Sequence, residues 1–224
     1  MFIEFIGLPG SGKTYFCGQI ENELSKKSIK SCNLIELSRS RFFYKLFFKS
    51  LRAYAKINGR TRRLSRRLEE LLAPYRGIRA KYNECFIDSY ISDICTLVIL
   101  KNLLGKSKRV FLLDEGLFQR AVTMAVNYNL CKSDIIKLLS VLKRYTDSTV
   151  YIKISCEDSL RSVRQRNRHV CAMDNLNDEE LKSFLKKYYA SCEYISERFH
   201  LTVLHRGNPE NLKIFNQKFR FGGN

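Results

Sequence analysis

Proline occurs three times in 224 residues, histidine three times, and acids are outnumbered by bases, 22 to 40. So little proline in a chain that is 45% hydrophobic excludes a disordered or low-complexity polymer. Eight cysteines stand at positions 17, 32, 85, 95, 131, 156, 171 and 192, none in Cys-x-x-Cys spacing. With so few histidines, no zinc motif is present. A chain of this length also builds a core without a disulfide framework, so reduced thiols are expected. No apolar run reaches membrane-spanning length. The best, Ile91 to Leu104, is too short and contains Asp93 and Lys101. The opening Met1-Phe2-Ile3-Glu4 has no basic n-region and leads directly into a β-rich run. A signal peptide is therefore not expected, and the expected location is the cytoplasm. The shortage of acid leaves a net charge of +18, which speaks to partners and not to fold.

Five short apolar runs read as strands: Phe2 to Ile6, Asn33 to Leu37, Arg109 to Leu113, Thr149 to Ser155 and Leu201 to Leu204. Helical stretches separate them: Lys13 to Lys27, Leu117 to Tyr128, Ser133 to Tyr145, Glu157 to Arg168 and Asp178 to Arg198. A last helix is expected from Asn208 as N-cap and Pro209 as N1 to about Phe219, with 221–224 as a frayed tail. Between the second and third strands lies a long region of helical spacing, 38–108. There Leu64, Leu68, Leu71 and Leu72 share a face opposite Arg60, Arg63 and Arg67. Alternating strands and helices predict one α/β domain over residues 1–224, with a mostly parallel sheet and a helical insertion.

Gly7-Leu8-Pro9-Gly10-Ser11-Gly12-Lys13-Thr14 satisfies G-x-x-x-x-G-K-[ST] and lies between a strand and a helix, the context the motif requires. Glycines let the backbone curl so that successive N–H groups point at phosphate oxygens. The helix start adds free amides and a positive dipole end. Gly7, Gly10, Ser11, Gly12, Lys13 and Thr14 are thus the candidate triphosphate cradle. Lys13 would reach the β- and γ-phosphates, and Thr14 would ligate Mg²⁺.

Asp114 and Glu115 follow the third strand, where carboxyl ends of parallel strands face the ligand crevice. Asp114 is the candidate metal ligand and Glu115 the candidate base, with the reverse assignment and a helix-capping role for Glu115 both open. Arg120, one turn on, is either a phosphate clamp or an exposed helical arginine. Arg161, Arg164, Arg166 and Arg168 crowd into eight residues within a candidate lid, 156–178. Arg161, Arg164 and Arg168 have i, i+3, i+7 spacing and share one face of a helix that continues that far, where they would stabilise a transferring phosphoryl group. A solvated cationic face is the other reading.

With the cradle, three further blocks give the chain a resemblance to the nucleoside-monophosphate-kinase group of P-loop kinases, and most to its thymidylate-kinase-like branch. They are Leu112-Leu113-Asp114-Glu115-Gly116, Leu160-Arg161-Ser162-Val163-Arg164-Gln165-Arg166 and Leu204-His205-Arg206-Gly207-Asn208-Pro209-Glu210. The resemblance implies the P-loop three-layer fold, a five-stranded parallel sheet of order 2-3-1-4-5, an acceptor-binding helical region after strand two and an arginine lid after strand four. It also implies that Arg206, Gly207 and Asn208 hold the nucleobase of ATP. One departure stands out. Thymidylate kinases carry an Asp-Arg pair after strand two, and this chain has Glu36-Leu37-Ser38-Arg39.

From Arg39 to Lys81 there are fourteen basic residues and two acidic ones, Glu69 and Glu70, with aromatics clustered at its start. Arg39 and Arg41 are candidate acceptor ligands. The region fits an acceptor bearing phosphates, an anionic lipid surface, nucleic acid, or only solvated arginines. The expected function is ATP-dependent phosphoryl transfer, with Mg²⁺, to a small anionic acceptor such as a nucleotide, sugar phosphate or lipid-linked sugar. The alternative is a P-loop ATPase or switch whose basic region binds nucleic acid or an anionic membrane. Neither the Asn-Lys-x-Asp motif of GTPases nor the Leu-Ser-Gly-Gly-Gln signature of transporter ATPases occurs.

Overall fold

A computed structural model describes residues 1–34, 42–82, 86–166 and 172–219, without the side chains of 42–46 and 48. Strand β1 (Phe2–Ile6) is buried along its whole length. It lies at the centre of a five-stranded sheet of order β2-β3-β1-β4-β5, formed with β2 (Ser31–Asn33), β3 (Val110–Leu113), β4 (Ser148–Lys153) and β5 (Thr202–His205). Every pairing is parallel. The near-continuous apolar character of β1 and β3 follows from burial on both faces.

Alternation along β1 sorts the core into two layers. Ile3 and Phe5 face α1 (Lys13–Lys26) and α9 (Asn211–Lys218), where Phe16, Ile20, Leu24 and Phe215 close one side. Phe2 and Ile6 belong to the larger core on the other side, and Phe2 stacks on Phe111 of β3 at 4.7 Å between centroids. That side is covered by α5 (Leu117–Tyr128), α6 (Lys132–Leu142), α7 (Cys156–Gln165) and α8 (Asp178–Phe199).

The insertion contains α2 (Phe42–Ile57), α3 (Gly59–Leu72) and α4 (Ile87–Leu104). Asn58 ends the first and starts the second, its side chain accepting from the Arg60 and Thr61 amides. In α3, Leu64, Leu68 and Leu72 are buried, Leu71 is half-buried, and Arg60, Arg63 and Arg67 point to solvent, the two faces expected from spacing. The apolar run 91–104 falls in α4, which buries Ile91, Ile94, Val98 and Ile99 among others. No helix among the described residues is long and apolar enough to cross a membrane.

Four expected boundaries are corrected. β2 covers Ser31–Asn33, paired with β3 up to Asn33 opposite Leu112, and Leu34 already lies outside it, while 35–37 of the expected strand lie outside the described residues. The second helix after β3 ends at Leu142, and a 3₁₀ turn covers Lys143–Tyr145. α7 ends at Gln165, not Arg168. The last helix begins at Asn211 with Glu210 as its N-cap, because the Asn208 side chain accepts from the Glu210 amide and folds 208–210 into a turn. The predicted tail, 221–224, lies outside the described residues.

Glu4 interrupts the apolar alternation of β1. It is 4% exposed and accepts from Thr149 Oγ1 at 2.9 Å and the Phe118 amide at 3.1 Å, so it joins β1 to β4 and to the start of α5. Gly116 sits directly against it, where a Cβ would fall 1.9 Å from Glu4 Oε2. Burial pushes the Glu4 carboxyl up from 4.5 to about 7, against the lowering effect of its hydrogen bonds. The folded protein therefore holds this proton more tightly than the unfolded chain. Its contribution to stability is present below pH 4.5 and is lost as the pH rises to about 7, on the order of 3 kcal/mol in all. Urea denaturation at pH 5 and pH 8 should show that slope, and Glu4→Gln should flatten it. Gly116→Ala should lower stability by about 1–3 kcal/mol at either pH, through overpacking.

Candidate functional site

The chain turns out of β1 into the loop Gly7–Thr14 and then into α1, whose N-cap Gly12 is left-handed at φ 89°. No side chain caps this helix, so its first amides stay open to an anion. Two helices brace the loop. Gln119 of α5 holds Gly7 from both sides: its Oε1 accepts from the Gly7 amide at 3.0 Å and its Nε2 donates to the Gly7 carbonyl at 3.3 Å. From α7, Ser159 Oγ donates to the Pro9 carbonyl at 2.5 Å. Arg206, just past β5, donates to the Gly10 carbonyl at 3.0 Å and to Ser162 Oγ at 2.5 Å. Gly10 needs its φ of 82°, and a Cβ there would stand 2.9 Å from Ser162 Cβ.

Lys13 Nζ folds back over the loop to the carbonyls of Gly7 and Leu8, at 2.8 and 3.1 Å. Burial pulls its ammonium below the usual 10.5, opposed by Glu115 and Asp114 and assisted by the nearby positive charge of Arg166. Thr14 Oγ1 donates to Asp114 Oδ2 at 2.5 Å, so the loop and the end of β3 meet where the sequence placed a metal pair. The other carboxylate oxygen, Asp114 Oδ1, is buried with no partner among the described residues. A hydroxyl and a carboxylate with one orphaned buried oxygen are hard-oxygen donors that fit Mg²⁺.

In front of the loop opens a cleft of about 730 Å³. Its lining includes Lys13, Thr14, Asp114 and Glu115 together with Tyr82, Gln119, Thr123, Asn127, Phe184 and Tyr188. On α5, Gln119, Thr123 and Asn127 form a polar stripe spaced by four residues along the cleft. Gln119 Nε2 donates to Tyr188 Oη at 2.6 Å, and Tyr188 meets Thr123 Oγ1 at 2.8 Å. Asn127 Oδ1 accepts from the Tyr82 amide at 3.2 Å. Tyr82 packs edge-on against Phe184, and its hydroxyl is buried and without a partner among the described residues.

The arginines distribute differently from their spacing. Arg161 is exposed and lies 3.7 Å from Asp158. Arg164 turns away from the cleft: Nε bonds Asp178 at 2.9 Å and Nη2 bonds the Leu176 carbonyl at 2.6 Å, which fixes the turn before α8. Because α7 stops at Gln165, it does not carry a shared face from Arg161 to Arg168. Arg168, Arg39 and Arg41 lie outside the described residues. Arg166, beyond the helix end, lines the cleft instead. Arg120 does not line it. Its guanidinium lies 3.4 Å from Asp93 and 3.4 Å from Glu115. Gly207, at φ 79°, and Asn208 form the turn after Arg206.

Neither a protein-family model nor a curated protein sequence matches the chain. Among solved structures, deoxyadenosine kinase from M. mycoides with bound dATP superimposes with a TM-score of 0.54 at 12% identity, covering 97% of this chain and 98% of that one. The same enzyme with bound dCTP gives 0.50 at 14% identity, with the same coverage. The chain has the P-loop kinase fold. The expected resemblance holds at the level of this fold.

Of the cleft residues, Tyr82, Phe184 and Tyr188 were not marked by any motif, while the four-residue stripe on α5 is a signal a sequence does carry. The two loop glycines separate strain from crowding. Gly10→Ala should cost about 1–3 kcal/mol in urea denaturation and weaken nucleotide binding. Gly12→Ala, where a Cβ meets nothing within 4 Å, should carry only the backbone penalty of about 1–2 kcal/mol.

Proposed function

We propose that the protein is an ATP-dependent nucleoside kinase. The observation that carries this reading is one continuous cleft lined both by the phosphate cradle and by a group of polar and aromatic side chains. Tyr82, Phe184 and Tyr188 offer ring faces for a planar base, while Thr123, Asn127 and the unpartnered Tyr82 hydroxyl offer hydrogen bonds to its edge or to a sugar. The cations lining the cleft among the described residues are Lys13, of the phosphate cradle, and Arg166, at the end of α7. That balance favours a neutral nucleoside over an acceptor already bearing phosphate. The solved neighbours are named deoxyadenosine kinases, which supports the same substrate class.

In this reading the loop amides and Lys13 hold the β- and γ-phosphates, and Arg166 closes on the transferring group from the end of α7. Thr14 and Asp114 would hold Mg²⁺, which would supply charge neutralisation to the triphosphate. Glu115, one residue beyond and facing the cleft, accepts the proton of the attacking hydroxyl. Arg206 lies against the Gly10 carbonyl, where its guanidinium plane is available to the adenine of ATP. Asn208 and Gly207 shape the turn that presents it.

The test is a panel of deoxyribonucleosides, ribonucleosides and their monophosphates incubated with ATP, with product mass as readout. Nucleosides should gain one phosphate and monophosphates should not. ATP hydrolysis stimulated by DNA or anionic vesicles, with no phosphorylated product, would instead establish the ATPase reading. Lys13→Ala should lower turnover on the order of 10²–10³-fold with an unchanged melting temperature. Tyr82→Phe should raise KM for the nucleoside about tenfold while leaving KM for ATP unchanged, as expected for loss of one buried hydrogen bond to the acceptor.

A further inference from the structure

Between α2, α3 and α4 lies a second cavity, of about 500 Å³, which shares no lining residue with the cleft. Its rim carries Arg52, Lys56, Arg62, Arg66 and Arg76, and its floor is made of Ala55, Ile91 and Cys95. Two carboxylates, Glu69 and Asp88, line it as well. Both are engaged: Arg76 lies 3.1 Å from Asp88 and 3.8 Å from Glu69, and Glu69 also accepts from Ser65 at 2.7 Å. Arg52 is committed to Asp93 at 2.7 Å. Lys56, Arg62 and Arg66 form no ion pair among the described residues.

The placement of these charges is self-repelling. Arg52 and Lys56 are one turn apart on α2, Arg62 and Arg66 are one turn apart on α3, and like charges at i, i+4 oppose helix formation. The two pairs then share one concave surface, where a low-dielectric wall concentrates the positive potential. The apolar floor gives the non-ionic part of a ligand a surface, and the volume is that of a small-molecule pocket.

We propose that this cavity is a second anion site, taking a small molecule that bears two or more phosphates. Arg52 is its adjustable member, because Asp93 competes with the ligand for it. Asp93 divides its two oxygens between Arg52 and Arg120, and Arg120 reaches Glu115 at the edge of the cleft. Drawing Arg52 into the cavity leaves Asp93 to Arg120 alone.

Titration calorimetry with inorganic tripolyphosphate tests the site. Wild type should bind two equivalents, one in the cleft and one in the cavity. Lys13→Ala should lose the first, and Arg62→Gln/Arg66→Gln the second. In the Lys13→Ala background, Asp93→Asn should tighten the remaining site several-fold, an outcome that damage to the fold does not produce. The proposal is overturned if the cavity variant keeps the wild-type stoichiometry, or if Lys13→Ala abolishes all binding. It is also overturned if duplex DNA or anionic vesicles bind through these arginines while tripolyphosphate does not. Loss of cleft binding alone bears on the kinase reading, and the cavity arm stands apart from it.

Discussion

A single carboxamide holds the phosphate loop in place. Gln119 uses its oxygen on the Gly7 amide and its two N–H groups on the Gly7 carbonyl and the Tyr188 hydroxyl. Gly7 is the point where β1 ends and the loop begins, so this contact ties the central strand to α5 and, through Tyr188, to α8. The group is buried, where an unmet amide or carbonyl costs more than a formed bond returns. Geometry at the loop is therefore set by the packing of two helices and not by the glycines alone. The glycines make the curl available. Gln119, Ser159 and Arg206 select it.

The parts of the structure that could be read in the sequence are those fixed by local chemistry. β1 and β3 are apolar because both their faces are covered, and their ends fall where the apolar runs end. Thr14 and Asp114, a hundred residues apart, meet because a parallel sheet sends both strand ends to one edge. What escaped was decided by tertiary partners. β2 is an edge strand of three residues, and its extent depends on how far β3 accompanies it. Arg164 has the spacing of a lid residue, yet Asp178 and the Leu176 carbonyl claim it. Tyr82 and Tyr188 are separated by more than a hundred positions and by most of the fold, and no local pattern joins them. Asn208 looks like a helix cap because an Asn-Pro pair usually starts something, and here it starts a turn.

Charge divides the molecule in two. The fourteen bases between Arg39 and Lys81 dominate the count, but the cleft is lined by a few charges of both signs that lie near one another. Glu115 and Asp114 counter the loss of charge that burial imposes on Lys13, whereas the arginines of α3 face outward or into their own cavity. Net charge alone therefore pointed to an anionic acceptor, while Tyr82, Thr123, Asn127, Phe184 and Tyr188 bring no charge to the lining of the cleft. Number of charges and location of charge carried different information.

Helix α4 is apolar around most of its circumference, touching α2 and α3 on one side and α5 on the other. The basic lobe is for that reason not an appendage that shuffling or truncation could remove. Without it, Ile94, Val98 and Ile99 would face water, and the helix carrying Gln119 would lose its backing. Drift in such a lobe is confined to its outer skin. The side turned inward must keep the shape that seats the loop.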